Sequence, residues 1–258
     1  MYNLLSRRDF VKSAATIAGM GAIPVLAEEP LNKVQQLIED KGMRVLFQGD
    51  SITDGNRGRN MDLNHIMGHG YAFSIASRIG ADFPEKNWEF FNRGISGNTV
   101  TDLQGRWSKD ALDLKPDLLS VLVGINDAGQ HVRNPEKGPQ FEVFETAYRD
   151  ILTQSRIQNP DLIIVMGLPF VYPIGSRIPV YDAYEKDVLR RKEIVQKLAQ
   201  EFDALLVDYS SAFDKAFEKA PPEYWIWDGV HPTVAGHEVM TKAWLATVAE
   251  KFPFLEVY

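Results

Sequence analysis

The sequence predicts an α/β protein: a flavodoxin-like, doubly wound sandwich whose five-stranded parallel sheet is covered by helices on both faces. Two observations support this fold class. Short, almost continuously apolar segments alternate along the chain with longer amphipathic ones, and this is the pattern of strands buried on both faces of a parallel sheet. No internal repeat, low-complexity tract or linker interrupts the alternation, so we expect a single domain over residues 43–258.

The predicted strands are the short apolar runs, at 44–48, 88–92, 118–123, 162–166 and 204–208. Helices are predicted where apolar residues recur every three, four or seven positions. These segments are 71–79, 99–107, 141–152, 184–202 and 233–251. A further short helix is expected at 30–40, within an N-terminal segment at 28–42 that precedes the first strand.

The composition is that of a soluble globular protein. Of the 258 residues, 45% are hydrophobic and 24% are charged, which excludes a disordered or collagen-like chain. With a formal net charge of -7, we expect no basic patch of the kind that binds nucleic acid. The chain contains no cysteine, which excludes disulfides, thiol nucleophiles and cysteine-bound metal sites.

The N-terminus carries the features of an export signal. Arg7 and Arg8 precede an apolar stretch at 14–27, which is shorter than the ~20 residues that a membrane-spanning helix needs. Residues 1–27 resemble a twin-arginine signal peptide that is cleaved after Ala27. The alternative is an amphipathic leader helix with two chance arginines. The resemblance implies a periplasmic or secreted bacterial protein without a stable membrane anchor.

Polar residues cluster where the predicted strands end. The first strand is followed by Asp50 and Ser51, the second by a segment containing Gly97, and the third by a segment containing Asn126. A fourth polar segment lies at 228–231. Each segment alone fits ordinary turn or helix-cap chemistry. In doubly wound folds, however, ligands bind beyond the carboxyl ends of the strands, so the four segments together predict a site at this edge.

The four segments resemble the signature blocks of the SGNH-hydrolase superfamily, whose members are also called GDSL esterases and lipases. The resemblance covers most of the chain and keeps the order of the blocks. It implies that Ser51 is the nucleophile and that Asp228 and His231 complete a catalytic triad. It also implies an oxyanion hole formed by the backbone amides of Ser51 and Gly97 and by the Asn126 side chain.

The residue types also fit ester hydrolysis on chemical grounds. This reaction needs a nucleophile, a base that takes its proton, and donors for the oxyanion that forms. Asp228 lies three residues before His231, so a tight turn brings the two side chains together, and a carboxylate on Nδ1 leaves Nε2 facing Ser51. Ser96 is a rival nucleophile, but no Gly-x-Ser-x-Gly elbow surrounds it.

Within the superfamily, the chain is similar to acetylxylan-esterase-type members, which remove O-acetyl groups from plant polysaccharide fragments. The similarity rests on residues 48–54, 94–100, 106–107 and 230–237. The segments at 57–70 and 170–180 look particular to this chain, and we expect them to shape the pocket.

Three tryptophans are candidate contacts for a sugar ring. Trp225 and Trp227 directly precede the fourth polar segment, and Trp107 follows the second one. A flat aromatic side chain can stack against a sugar, as in many ligand sites lined by aromatic residues. Packing in the core is the alternative for each of them.

Two groups of residues offer a metal site as the alternative. His65 and His69 have the i, i+4 spacing of a zinc site, but glycines next to His69 disfavour a helix there and no Glu follows His65. Asp50, Asp54 and Asp127 could form the magnesium site of a phosphohydrolase, but no phosphate-binding glycine motif accompanies them. We expect no metal and no other cofactor.

The sequence therefore predicts a serine esterase that hydrolyses O-acetyl or other short-chain acyl esters of carbohydrates, with an acetylated saccharide as substrate. A lysophospholipase- or thioesterase-type hydrolase of the same superfamily is the main alternative. A non-catalytic carbohydrate-binding module is disfavoured, because the set of site residues is intact. A homo-oligomer is compatible with the sequence, although no self-association motif is present.

Overall fold

The structure, a computed structural model, describes residues 42–60 and 65–258. The predicted signal at 1–27 and the predicted helix at 30–40 lie outside these residues, so both stay predictions. Among the described helices, none combines the length and the apolar character that crossing a membrane requires.

Five parallel strands form the sheet, in the order β2-β1-β3-β4-β5. Val45 on β1 lies beside Phe90 on β2 and Leu118 on β3. The predicted fold class is confirmed, and every predicted strand is found with its ends displaced by at most one residue. The strands are β1 (Arg44–Gly49), β2 (Glu89–Asn92), β3 (Leu118–Leu122), β4 (Ile163–Gly167) and β5 (Leu205–Val207).

Helices connect the strands and flank the sheet. They are α1 (Ser51–Asp54), α2 (Tyr71–Asp82), α3 (Val100–Gly105), α4 (Trp107–Asp110), α5 (Ile125–Arg133), α6 (Phe141–Gln158), α7 (Tyr181–Glu201), α8 (Tyr209–Phe217), α9 (Pro222–Trp225) and α10 (Val234–Val248). Short 3₁₀ segments lie at Pro84–Lys86, Leu112–Leu114, Gly175–Val180 and Pro253–Val257.

The helices differ from the prediction in two ways. The predicted helix at 99–107 is interrupted at Arg106, whose backbone (φ -117°, ψ 6°) separates α3 from α4. Helices α1, α5, α8 and α9 were not predicted. Each has at most nine residues, which is too short for a helical period to stand out in the sequence.

Side chains alternate between two apolar layers, one on each face of the sheet. On β1, Val45 and Phe47 pack into the layer that α2, α8 and α10 cover, whereas Leu46 packs into the layer under α3 and α6. The buried hydroxyl of Ser120 on β3 accepts a hydrogen bond at 3.0 Å from the indole N–H of Trp244 on α10. Burial on both faces explains why the strands read as continuous apolar runs.

The start of α2 is capped by a side chain from α10. Gly70, the N-cap of α2, has no side chain that could accept the first helical amides. Instead, Nδ1 of His237 accepts a hydrogen bond from the Tyr71 amide at 3.2 Å. This contact needs the neutral imidazole, because a protonated nitrogen cannot accept. Burial, aided by the nearby charges of His69 and His231, lowers the pKa of His237 to about 4.

We predict that His237 makes the fold less stable in acid. The unfolded histidine binds its proton near pH 6.5 and the folded one only near pH 4, so stability is lost as the pH falls through this window. The linkage corresponds to roughly 3 kcal/mol of unfolding free energy. Replacing His237 by Asn keeps an acceptor for the Tyr71 amide but removes the titration.

Urea unfolding of wild type and His237→Asn at both ends of this window measures the effect. The comparison must be differential, because burial raises the pKa values of Asp50 and Asp127 and these groups change stability in the opposite direction. An identical pH dependence in the two proteins would contradict the role of His237.

Candidate active site

Ser51 is positioned by a tight turn between β1 and α1. Gly49 ends β1, and a Cβ atom there would lie 2.3 Å from the carbonyl oxygen of Leu122 on β3, so only glycine fits. Asp50 is the N-cap of α1, and its Oδ1 accepts a hydrogen bond from the Ile52 amide at 3.1 Å. Ser51 is therefore the first residue of α1 and lies at the carboxyl edge of the sheet.

Ser51, His231 and Asp228 form a hydrogen-bonded row. Oγ of Ser51 lies 2.8 Å from Nε2 of His231, and Nδ1 of His231 lies 2.9 Å from Oδ2 of Asp228. A carboxylate on Nδ1 favours the tautomer with its proton on that nitrogen, which leaves Nε2 free to accept the serine hydroxyl. The structure thus brings Ser51 together with a histidine that lies 180 residues later in the sequence, and with the aspartate three residues before that histidine.

The environment keeps Asp228 ionised. Partial burial raises the pKa of Asp228, but the amide and ring of His231 and the amide of Val230 outweigh it and hold the pKa below its ordinary value. An ionised carboxylate in this place orients the imidazole of His231. The His231 and Asp228 side chains are 43% and 38% exposed, so the row is open to solvent.

The turn that carries Asp228 and His231 is held from two sides. The Trp227 amide donates to the His231 carbonyl at 2.8 Å, and the amide of Tyr172, between β4 and α7, donates to the Gly229 carbonyl at 2.8 Å. Gly229 has φ +88°, and a Cβ atom there would lie 2.3 Å from the Tyr172 carbonyl oxygen. The segment at 170–180 thus contacts the turn that carries Asp228 and His231.

Asn126 is tied to the loop that contains Gly97. Its Nδ2 donates to the carbonyl of Asn98 at 3.1 Å, and because a side-chain amide has two N–H donors, the second stays available. Gly97 has φ +84°, and a Cβ atom there would meet no atom within 4 Å. A hydrogen bond therefore links the Asn126 side chain to the residue next to Gly97, and the space beside Gly97 is open.

Asp54, which sequence reasoning considered only as a metal ligand, fixes this loop to α1. Its Oδ2 accepts from the Ser96 amide at 2.9 Å and from the Ser96 hydroxyl at 2.8 Å. Arg59 donates to both carboxylate oxygens, at 3.0 and 2.6 Å. Burial raises the pKa of Asp54, but Arg59 and Ser96 outweigh it and lower the pKa below its ordinary value. The Ser96 hydroxyl, the rival nucleophile, is thus paired with a carboxylate.

Arg106 braces the same loop from the other side. It donates to the Asn98 side chain at 2.8 Å, to the Gln48 side chain at 3.0 Å and to the Asp110 carboxylate at 3.1 Å. Arg106 was predicted only as part of the family resemblance, without a role of its own. A basic residue directly after Gly105, one position before the end of the predicted helix at 99–107, is the signal that could have singled it out.

Two buried aspartates lie beneath the site. Complete burial raises the pKa of Asp50 to about 7, against a hydrogen bond from the Ile52 amide, and the charge of Asp127 adds to the rise. Burial also raises the pKa of Asp127 to about 6, although Arg191 and the Val100 amide oppose it. Both carboxyl groups accept backbone amides, so they hold the strand-end turns in an environment of low polarity.

The metal alternatives gain no support from the arrangement of side chains. Over the described part of the chain, no three His, Asp or Glu side chains are grouped so that they could hold a metal ion. Asp50, Asp54 and Asp127 are therefore not grouped as a magnesium site, and His65 and His69 have no third ligand among the residues that the structure describes. The expected absence of a cofactor stays a prediction.

The three candidate tryptophans differ in exposure. Trp107 is 1% exposed, and its indole N–H donates to the buried Ser155 hydroxyl at 2.9 Å. The prediction that Trp107 contacts a sugar is therefore wrong, because this side chain fills the core next to α6. Trp225 is partly buried and donates to a backbone carbonyl. Trp227 is 68% exposed and directly precedes Asp228, so it is available to a ligand.

This arrangement has the components of acyl transfer. A serine hydroxyl faces an imidazole acceptor, an ionised carboxylate orients that imidazole, and amide donors border the adjacent space. Such a set supports attack on a carbonyl carbon through a tetrahedral intermediate.

Comparison with known proteins supports the same interpretation. The model of the GDSL-like lipase/acylhydrolase family matches residues 47–239. An acetylxylan esterase of Geobacillus stearothermophilus is 33% identical over 218 residues, which cover 80% of this chain and 94% of that protein.

Solved structures share the fold. An α/β hydrolase enzyme from the metagenome of Lake Arreo, Spain, has a TM-score of 0.73 at 29% identity, covering 83% of this chain and 98% of that one. The acetylxylan esterase of Geobacillus stearothermophilus has a TM-score of 0.71 at 31% identity, covering 81% and 94%. Two of its variants are described as catalytic mutants, one with an aspartate and one with a serine replaced by alanine. A third variant replaces the tryptophan that directly precedes this aspartate.

We predict that Asn126→Ala lowers kcat by roughly 10²–10³ with little change in KM, the range found for one lost oxyanion donor in another serine hydrolase. The reason is that an oxyanion donor acts on charge that develops in the transition state. Asn126→Asp should be at least as damaging, because a carboxylate repels the oxyanion. The measurement is kcat, KM and Tm on an acetyl ester.

Asn159→Ala is the matched control, since its Nδ2 also donates to a backbone carbonyl, that of Pro116, at 3.2 Å. It precedes β4 and therefore lies away from the carboxyl edge of the sheet. If Asn126→Ala keeps the wild-type kcat and only its Tm falls, Asn126 merely holds the start of α5.

Proposed function

The chain belongs to the GDSL-like lipase/acylhydrolase family and is a carboxylic ester hydrolase. From that premise we propose that it removes O-acetyl groups from carbohydrates, such as acetylated xylan or its oligosaccharides. The observation that carries the proposal is the row from Ser51 through His231 to Asp228, with contacts of 2.8 and 2.9 Å.

In the proposed reaction, Ser51 Oγ attacks the acetyl carbonyl carbon while Nε2 of His231 takes the hydroxyl proton. Asp228 stabilises the imidazolium that forms. The backbone amides of Ser51 and Gly97 and the Asn126 side chain hold the oxyanion of the tetrahedral intermediate.

Collapse of the intermediate releases the sugar, whose hydroxyl oxygen receives the proton from His231. Water, activated by the same histidine, then attacks the acetyl-serine ester and releases acetate. The open position of the His231 side chain, 43% exposed, gives water access to this step.

Two further observations favour a saccharide as the alcohol part of the ester. Trp227 presents a 68% exposed indole next to Asp228, where it can lie against a sugar ring. In the similar acetylxylan esterase, a tryptophan also directly precedes an aspartate whose replacement gives a catalytic mutant. We therefore assign Trp227 to the substrate subsite, with Trp225 as a neighbouring contact.

We predict that the purified protein releases acetate from acetylated xylo-oligosaccharides and prefers acetyl over longer acyl groups. The measurement compares acetylated xylan, pectin and sialate, together with a series of aryl esters from acetyl to decanoyl. Ser51→Ala should lower kcat by roughly 10⁶, the loss found for the nucleophile of another serine hydrolase.

A serine-directed phosphonate provides the control, because it should label wild type at Ser51 and leave the folded Ser51→Ala variant unlabelled. Labelling at Ser96 would overturn the assignment of the nucleophile. A preference for decanoyl over acetyl esters would favour the lysophospholipase- or thioesterase-type alternative.

We also propose that the protein is exported in folded form, on the basis of the adjacent arginines and the apolar stretch that follows them. Production in a bacterium with a twin-arginine pathway should give a periplasmic or secreted protein that begins at Glu28, as read by mass spectrometry. Replacing Arg7 and Arg8 by lysine should block processing. Recovery of unprocessed wild-type protein from the cytoplasm would contradict the proposal.

A further inference from the structure

Two arginine side chains converge on the hydroxyl of Tyr184. Nη1 of Arg133 and Nη1 of Arg177 each lie 3.3 Å from this oxygen. The guanidinium of Arg177 also stacks over the Tyr184 ring, 4.9 Å from its centroid. The two nitrogens therefore lie within about 7 Å of each other, a distance at which like charges repel.

Among the described residues, no counter-ion balances this repulsion. Over residues 42–60 and 65–258, neither Arg133 nor Arg177 forms an ion pair with a carboxylate. Nε of Arg177 is buried and has no hydrogen-bond partner. A protein with a net charge of -7 nevertheless holds two cations together, and an anion between them would remove the repulsion.

The arginine pair lies beside the candidate active site. A Cβ atom on Gly229 would lie 2.7 Å from Cγ of Arg177. Arg177 therefore packs directly on the turn that carries Asp228 and His231. A Cβ atom on Gly129 would lie 3.2 Å from the Tyr184 hydroxyl oxygen. Gly129 follows Asn126 by three residues on α5, so both lie on the same helix face about one turn apart.

We propose that Arg133 and Arg177 form a subsite for the carboxylate of an acidic sugar in the acetylated substrate. The planar guanidinium group matches a carboxylate, and two of them can share its two oxygens. The proposal rests on the proposed function, because the anion must belong to a saccharide that carries the acetyl ester. Tyr184 is 4% exposed and acts as the support that keeps both guanidinium groups in place.

The test uses two acetylated xylo-oligosaccharides that differ in one group. One carries a glucuronic acid branch, and the other is the same compound with its carboxylate converted to the primary amide. For wild type, kcat/KM for acetate release should be at least about tenfold higher on the acid than on the amide, as expected for hydrogen bonds between charged groups. In Arg177→Gln and Arg133→Gln this ratio should fall toward one.

The ratio is independent of how much of a variant is folded, because both substrates report on the same enzyme sample. Arg190→Gln is the matched control, since Arg190 is 60% exposed on α7 and pairs with Glu193; it should keep the wild-type ratio. A wild-type ratio near one, or an unchanged ratio in both subsite variants, would overturn the subsite. Release of acetate from neither compound would instead contradict the proposed function.

Discussion

The carboxyl edge of the sheet depends on aspartate side chains that accept hydrogen bonds from backbone amides. Asp50 accepts the Ile52 amide, and Asp54 accepts that of Ser96 in the neighbouring loop. Asp127 reaches the first amide of α3, and Asp228 holds the turn that carries His231. A carboxylate accepts an amide more strongly than a neutral group does, so these contacts fix loops that the strands alone would leave unconstrained.

The four carboxyl groups differ in how their charge is balanced. Asp54 and Asp228 have cationic or imidazole partners, and their pKa values are lowered. Asp50 and Asp127 are buried without a direct ion pair, and burial raises their pKa values. The two groups with lowered pKa values hold Ser96 and His231, whereas the two groups with raised pKa values are buried and hold the turns.

The space above this edge is formed by segments that the fold itself does not dictate. Arg59, from the segment after α1, donates to the carboxylate of Asp54. Tyr172 and Arg177, from the segment before α7, contact the turn that carries Asp228 and His231. These contacts let two surface segments influence both the geometry of the reacting groups and the charge that a substrate meets. Differences in substrate between related enzymes can therefore arise without any change in the sheet.

The sequence by itself determined the fold class and the candidate reacting residues. Strands buried on both faces must be apolar throughout, and polar residues at their carboxyl ends must meet at one edge, so Ser51 and Asn126 could be placed there. His231 follows no strand directly, and the family resemblance assigned it to the same edge. Only the tertiary structure decided how these residues are supported. Trp107 proved to be a core residue because Ser155, 48 residues away, accepts its indole N–H, and Arg106 donates to the side chain of Gln48, 58 residues away. Such contacts depend on how distant segments pack, and no local period or spacing encodes them.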